Sequence, residues 1–200
     1  MSEYIVRAHG APTDPAQLLA GVGSGAHVEY LAQIIVNTLF IAKGHRDDVT
    51  LTLVLEKSID YSRALSIPGD AFGSLGGLNE SSLLEVIADS LLEGRDLAKE
   101  ATVTTSLGIR VASTSFEHIA RDRLARGKVY LLDRKGQDVR ALEVTGDAVF
   151  LLTDHIPMPR KLGKSLVRQG AIRVSLGPVM LHASQCVAVV QNELDRREWM

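Results

Sequence analysis

The sequence has little cysteine, few aromatic residues and no long apolar run. Its single cysteine, Cys186, excludes an internal disulfide and fits a reducing compartment, so we expect a cytoplasmic protein. No apolar stretch approaches the roughly 20 residues of a membrane helix, and the first residues lack the pattern of a signal peptide. The 6 histidines are scattered without zinc-binding spacing. We therefore expect no membrane association and no metal site.

Motifs for nucleophilic catalysis and phosphate binding are also missing. No G-x-S-x-G motif occurs in the sequence. The glycine-rich stretches GVGSG (21–25) and FGSLGG (72–77) lack the lysine of a phosphate-binding loop, and no strand runs directly into the first of them. Flexible loops are the favoured interpretation, and an enzyme acting on small nucleotides is the least favoured function.

Charge is low overall but unevenly distributed. The net charge of −2 argues against a globally basic protein, and we expect no DNA binding. The segment from residue 121 to residue 173, however, contains 12 basic and 6 acidic residues. Eight of the basic residues form two patches, at 121–128 and 159–168. Such patches neutralise the phosphates of nucleic acids, but they also occur as solvated helix faces, and the sequence leaves both interpretations open.

Periodicity predicts an α/β protein with a mainly parallel sheet flanked by helices, and the length fits one domain over 1–200. Asn79 and Ser115 are predicted helix N-caps, a turn is predicted at Arg134–Gly136, and 94–106 is the best candidate for an internal linker. Strands are predicted at 3–8, 49–56, 62–70, 108–113, 128–133, 138–142, 148–153 and 172–176, and helices at 27–42, 81–94, 115–127, 160–169 and 181–195.

The most informative segment is 148–195, where two short apolar strands each end in an irregular polar turn. Asp154 and His155 follow the first strand, where α/β folds gather ligands, although both could simply fix the loop. In the second turn, Gly177 and Pro178 bend the chain before an apolar run, 179–181, which suits a flat ring such as adenine read by main-chain groups.

These residues also resemble a known family. The segments KVYLLDRKGQDV, FLLTDHIP and RVSLGPVMLHASQCVAVVQNELDR are similar to the archaeal tRNA pseudouridine-54 N1-methyltransferases (TrmY), which belong to the SPOUT superfamily. The similarity is dense over 128–195 and thinner over 1–110. It implies a SPOUT-type fold with a C-terminal deep trefoil knot at about 128–195, S-adenosyl-L-methionine as cofactor, and a homodimer that methylates N1 of a pseudouridine in tRNA.

The resemblance also implies site residues. The positions that match the cofactor-binding residues of the family are Leu132, Thr153, Leu176, Gly177, Pro178, Val179, Met180, Leu181 and Cys186. Cys186 could equally be a buried helix residue, and both roles are compatible. The cations that would hold RNA phosphates are Arg121, Arg123, Arg126, Arg160, Lys161, Lys164 and Arg168.

The sequence departs from the family pattern at four positions. Thr153 and Pro157 stand where the family has glycine, which makes this loop stiffer and bulkier. His27 and Glu29 stand where the family has arginine and aspartate. No catalytic base is carried over, although Asp154 is a candidate. The alternative function is a knotted dimer that binds RNA or cofactor without transferring a methyl group.

Overall fold

A computed structural model describes residues 1–24, 27–72, 79–144 and 147–198. The strands are β1 (Ser2–Pro12), β2 (Phe40–Ile41), β3 (Gly44–His45), β4 (Val49–Lys57), β5 (Arg63–Pro68), β6 (Thr102–Thr104), β7 (Arg110–Ser113), β8 (Val129–Asp138), β9 (Ala148–Thr153) and β10 (Ile172–Ser175). The helices are α1 (Pro15–Ala20), α2 (Glu29–Leu39), α3 (Glu80–Glu93), α4 (Phe116–Arg126), α5 (Arg160–Arg168) and α6 (Ala183–Glu198).

Eight of these strands form one sheet in the order β10-β8-β9-β1-β4-β5-β7-β6. The first five in that order are parallel, which confirms the predicted parallel sheet. The other three, β5, β7 and β6, pair in antiparallel fashion. The segment between β4 and β5, 58–62, is too short for a crossover, so β5 has to fold back along β4.

The helices cover both faces of the sheet. Successive residues of a strand point to opposite faces, and in the parallel strands the residues on both faces are apolar. Tyr4 and Val6 of β1 point into a large core shared with α2, α3 and α6, whereas Ile5 points into a smaller core shared with α4 and α5. The ring of Tyr4 stacks on that of Phe150 with 5.3 Å between the ring centroids. The ring of Tyr130 also stacks on that of Phe150, with 5.2 Å between the centroids. The stacked rings fix the central strands side by side.

Both predicted N-caps are confirmed. The Asn79 side chain accepts a hydrogen bond from the Ser82 amide at 2.9 Å, and the Ser115 hydroxyl accepts one from the His118 amide at 3.2 Å. A third cap was not predicted, because the sequence pattern indicates no helix between the strand at 3–8 and the helix at 27–42. Asp14 caps α1 inside that stretch, and its Oδ1 lies 2.8 Å from the Gln17 amide nitrogen.

The prediction of two strands joined by a turn at Arg134–Gly136 was wrong. One strand, β8, runs from Val129 to Asp138 and is followed by a short 3-10 turn, so the expected strand at 138–142 is absent from these described residues. Its neighbour explains the difference: β10 pairs with Tyr130 and Leu131, then with Gln137 and Asp138. Residues 132–136 therefore form an irregular bulge between the two paired halves.

Other boundaries also moved. The expected linker at 94–106 contains β6, which pairs with β7, so this stretch belongs to the sheet. The helix expected at 27–42 spans 29–39, and a two-stranded hairpin, β2–β3, follows it. The glycine stretch at 72–77 lies outside the described residues except for its first position, as does the last position of 21–25. Among the described residues, no helix is both long and apolar enough to cross a membrane.

Candidate functional site

The site predicted from the sequence lies at the carboxyl edge of the parallel strands. Neighbouring strands β1 and β9 lead in opposite directions from this edge: β1 continues into α1 and α2 on one face, and β9 continues into α5 on the other. Such a divergence leaves a crevice outside the strand ends, where open α/β sheets bind ligands. The amide of Asp154 donates to the Arg7 carbonyl at 3.0 Å, which extends the pairing of β1 with β9 to the edge of this crevice.

The residues predicted to bind the cofactor converge on this edge. Leu132 begins the bulge of β8, Thr153 ends β9, and the segment 176–181 follows β10. Because Leu131 of β8 pairs with Leu151 of β9 and with Arg173 of β10, Leu132 lies close to the level at which β9 and β10 end. Leu132, Leu176 and Cys186 are half-buried and pack against the same large core. Their contacts with a ligand remain a prediction.

The segment after β10, residues 176–182, has an unusual combination of backbone and side chains. Gly177 has a φ of 115°, in the left-handed region that glycine tolerates best. The Ser175 hydroxyl fixes this bend by accepting a hydrogen bond from the Gly177 amide at 3.2 Å. Val179 and Met180 are then 69% and 74% exposed. An apolar pair this exposed offers a ready surface for a ligand.

The main chain of this segment is also available to a ligand. The amides of Val179, Met180 and Leu181 donate to no other residue in the part of the chain that the structure describes. Exposed apolar side chains beside free main-chain amides are what a nucleoside cofactor requires, since its ring is read by main-chain groups and its faces by apolar contacts. The residues present therefore fit such a group.

Cys186 lies on the first turn of α6, where its Sγ is 3.9 Å from the Leu181 carbonyl oxygen. Burial raises the pKa of this thiol to about 11. At neutral pH the side chain is consequently a neutral, weakly polar group. It suits a wall of an apolar pocket and not a nucleophile.

We expect Cys186 to react slowly with iodoacetamide because the thiolate is the reacting form. A pKa raised from 9.0 to about 11 lowers the thiolate fraction at pH 8 by about 100-fold. Alkylation rates should be measured by mass spectrometry for the native protein and for the same protein in guanidinium chloride. Equal rates in the two states would contradict the buried, neutral thiol, whereas further slowing by S-adenosylmethionine would place Cys186 at the cofactor.

Asp154 is the most connected side chain of the crevice, although it is only 8% exposed. Its Oδ1 accepts from the Ile156 amide at 2.8 Å. Its Oδ2 accepts from the Tyr30 hydroxyl at 3.2 Å and makes a longer contact with the Gly10 amide at 3.4 Å. The carboxylate thus joins β1, α2 and the loop after β9.

Aromatic rings surround this carboxylate. The imidazole of His155 makes edge contacts with the rings of Tyr30, at 5.6 Å, and His27, at 6.3 Å. A small cavity of about 30 Å³ lies between α2 and the start of α6. Its lining comprises Tyr30, Gln33, Ile34, Asp154, His155, His182, Ala183 and Ser184. The sequence carried no signal for Tyr30 or His182, because only the fold brings α2 and α6 to Asp154.

Glu29 lies outside this cluster. Its carboxylate accepts a hydrogen bond from the Gly23 amide, and this backbone contact lowers its pKa. Glu29 therefore closes the loop before α2 and does not reach Asp154. The neighbouring Tyr30, in contrast, donates its hydroxyl to Asp154.

The predicted phosphate-binding cations fall into two groups. Arg123 pairs with Glu3 at 2.5 Å, and Arg126 pairs with Asp122 at 2.6 Å, so their charges are already compensated. The other five pair with no carboxylate in the described ranges: Arg121, Arg160, Lys161, Lys164 and Arg168.

Four of these unpaired cations lie on α5, which starts at the carboxyl edge. An open groove of about 490 Å³ runs beside the helix and is lined by Lys161, Lys164, Val167, Arg168 and Arg173. Arg173 on β10 was not predicted, and its charge faces Asp133 at 3.3 Å. Because Arg173 lies in a strand, it belongs to neither of the basic patches that the sequence places on helices. Among the described residues, no group of three metal-ligating side chains occurs.

The parallel sheet carries a glycine-bent apolar segment at its carboxyl edge. Beside it lies a basic helix whose cations have no carboxylate partner among the described residues. These are the features of an α/β enzyme that combines a nucleoside cofactor with an anionic substrate. Comparison with known proteins agrees with this class. A family model described as "Putative SAM-dependent RNA methyltransferase" matches residues 1–199. The chain belongs to this family.

Relatives match over the full length. Proteins of Vibrio campbellii and Vibrio parahaemolyticus, each described as "Putative pseudouridine methyltransferase", are 44% identical over 199 residues, covering 100% of both chains. A protein of Shewanella frigidimarina with the same description is 44% identical over 197 residues, covering 98% of this chain and 100% of its own.

A solved structure shows the same fold. The crystal structure of Archaeoglobus fulgidus Nep1 bound to S-adenosylhomocysteine matches with a TM-score of 0.63 at 13% identity, covering 100% of this chain and 99% of that chain. This match confirms the predicted α/β fold with a mainly parallel sheet flanked by helices, and its SPOUT-type trefoil knot remains a prediction. The chain is an S-adenosylmethionine-dependent RNA methyltransferase, as predicted.

Proposed function

We propose that the substrate nitrogen is N1 of a pseudouridine, that the RNA is a tRNA, and that the active form is a homodimer in the cytoplasm. The main support is the 44% identity, over the full length, to relatives described as pseudouridine methyltransferases. The geometry supports it as well, because the apolar segment after β10 and the basic helix α5 adjoin the same edge of the sheet. Cofactor and RNA could therefore meet there.

In this proposal the residues of the segment 176–182 hold the cofactor. Val179 and Met180 supply apolar contacts, and free main-chain amides read the ring. When bound, S-adenosylmethionine supplies an electrophilic methyl group on a sulfonium. The protein has to orient the acceptor nitrogen in line with this methyl group, at about 3–3.5 Å. It also has to provide for departure of the N1–H proton.

The cations of α5 hold the RNA backbone in this proposal. The helix α5 carries four of them, Arg160, Lys161, Lys164 and Arg168. The first and the last are eight residues apart, which corresponds to about 12 Å along the helix axis. Because these charges are free of carboxylate partners among the described residues, phosphates can replace their counterions directly. The two arginines already paired on α4 would contribute less, since their carboxylates would have to be displaced.

Methyl transfer to matched RNAs tests the proposal. We expect the purified protein to bind S-adenosylmethionine in isothermal titration and to methylate a tRNA carrying pseudouridine. The same tRNA with uridine at that position should not be methylated, because N1 of uridine carries the ribose. Mass spectrometry of the nucleosides should find N1-methylpseudouridine. Equal labelling of the uridine transcript would contradict pseudouridine as the acceptor. The proposed homodimer is tested separately, since analytical sedimentation should give the mass of two chains.

A further inference from the structure

The Asp154 carboxylate has spare hydrogen-bonding capacity at the crevice between β1 and β9. A carboxylate offers about four acceptor positions on its two oxygens. Three donors reach it here: the Ile156 amide on Oδ1, and the Tyr30 hydroxyl and Gly10 amide on Oδ2. Oδ1 thus retains an acceptor position, and the carboxylate borders the cavity between α2 and α6.

Tyr30 is suited to hold this carboxylate in place. Its hydroxyl donates to Oδ2 at 3.2 Å, and burial together with the neighbouring Asp154 charge raises its pKa well above the usual value. The phenol therefore remains protonated and donates throughout the physiological pH range. Its ring also contacts His155 at 5.6 Å, so one side chain of α2 restrains both residues that follow β9.

Two imidazoles take part in the lining of the cavity. His155, in the loop after β9, and His182, just before α6, are both exposed, and the exposed His27, which precedes α2, contacts the His155 ring at 6.3 Å. His27 has a φ of 48°, an uncommon conformation for a residue with a side chain. Imidazole faces are surfaces on which an unstacked RNA base can rest, and single-stranded RNA is recognised in this way.

We propose that this cluster binds the acceptor base, with Asp154 accepting a hydrogen bond from a ring N–H and Tyr30 acting as a positioning residue for Asp154. The inference deepens the proposed function and rests on it. Uracil joined to ribose through carbon keeps two ring N–H groups, N1–H and N3–H, whereas uracil joined through nitrogen keeps only N3–H. A buried carboxylate that accepts at the N1 edge of the base therefore distinguishes pseudouridine from uridine, since only the former presents N1–H.

A double-mutant cycle tests this proposal. The variants are Asp154→Asn, Tyr30→Phe and the double substitution, with Tyr61→Phe as the matched control because Tyr61 is 42% exposed in a different loop. We expect Asp154→Asn to lower kcat about 100-fold and Tyr30→Phe about tenfold. The double variant should match Asp154→Asn alone, because Tyr30 acts only through Asp154. The control should retain wild-type kcat.

Two further measurements separate the proposal from its rivals. S-adenosylmethionine affinity by titration and the melting temperature should change little in Tyr30→Phe. Independent effects of the two substitutions, or a loss confined to melting temperature, would make Tyr30 merely structural and overturn its role. A loss of cofactor affinity as large as the loss of kcat/KM in Asp154→Asn would assign Asp154 to the cofactor instead.

Failure of the proposed function has a different signature. If the wild-type protein methylates another base, the substrate proposal fails, and binding of short RNAs then tests the cluster. In the presence of S-adenosylhomocysteine, an oligonucleotide with pseudouridine should bind more tightly than one with uridine, and Asp154→Ala, which removes both acceptor oxygens, should abolish the difference. An undiminished preference in that variant, or no preference in the wild type, would overturn the role of Asp154.

Discussion

Replacing Arg160, Lys161 and Lys164 with alanine is expected to weaken RNA binding by about tenfold or more and to flatten its dependence on salt. Each phosphate contact contributes roughly 0.7 to 0.9 to the slope of log affinity against log salt, so removing three should reduce the slope by about 2 to 3. These cations have no carboxylate partner in the described structure, so their full charge faces the RNA. Fluorescence anisotropy with a labelled tRNA over a salt series measures both quantities.

A matched control removes the same charge elsewhere. Lys43, Arg95 and Lys99 are exposed cations outside α5, and their combined replacement by alanine should leave the slope nearly unchanged. Affinity for S-adenosylmethionine should stay constant in both triple variants. Parallel salt dependence of the α5 variant and the wild type would remove this helix from the RNA site. Equal losses in the two triple variants would show that only net charge matters.

Gly136→Ala is expected to destabilise the protein by about 3 kcal/mol. A Cβ at this position would lie 2.4 Å from the Val174 backbone nitrogen and 2.5 Å from the Arg173 carbonyl carbon. Both are main-chain atoms of β10, so the clash can be relieved only by moving the strand. For a chain of this length the loss corresponds to roughly 6–12 °C in melting temperature. Because β10 carries the segment 176–182, cofactor affinity should fall as well.

Gly127→Ala is the control for this substitution. No atom lies within 4 Å of a Cβ built there, and the residue is extended, with a φ of 178°. We expect a change in the free energy of unfolding within about 0.5 kcal/mol. Calorimetry of the two variants and the wild type gives the comparison. A melting temperature of Gly136→Ala equal to that of Gly127→Ala would contradict the close approach of β8 to β10.

Local signals explain where the sequence predicted the fold well. Asn79 and Ser115 cap helices through their own side chains, and the apolar alternation of β4 and the runs of β9 need no distant partner to be recognised. Only the first half of β8 was predicted, as the strand at 128–133, because its second half is a strand only through pairing with β10. The polar residues of 133–138 have a low β-propensity, so the sequence pattern does not predict a strand there.

The sequence by itself determined the class of this protein, since the segments around β8, β9 and β10 carry both the apolar strands and the family resemblance. Tertiary structure alone decided which charged and polar groups are free to act. Arg123 and Lys164 look alike in the sequence, yet Glu3, 120 residues away, compensates only the first. Likewise Tyr30 reaches Asp154 only because α2 crosses the end of β9. Such pairings depend on distances between remote residues, and a linear pattern contains no such distances.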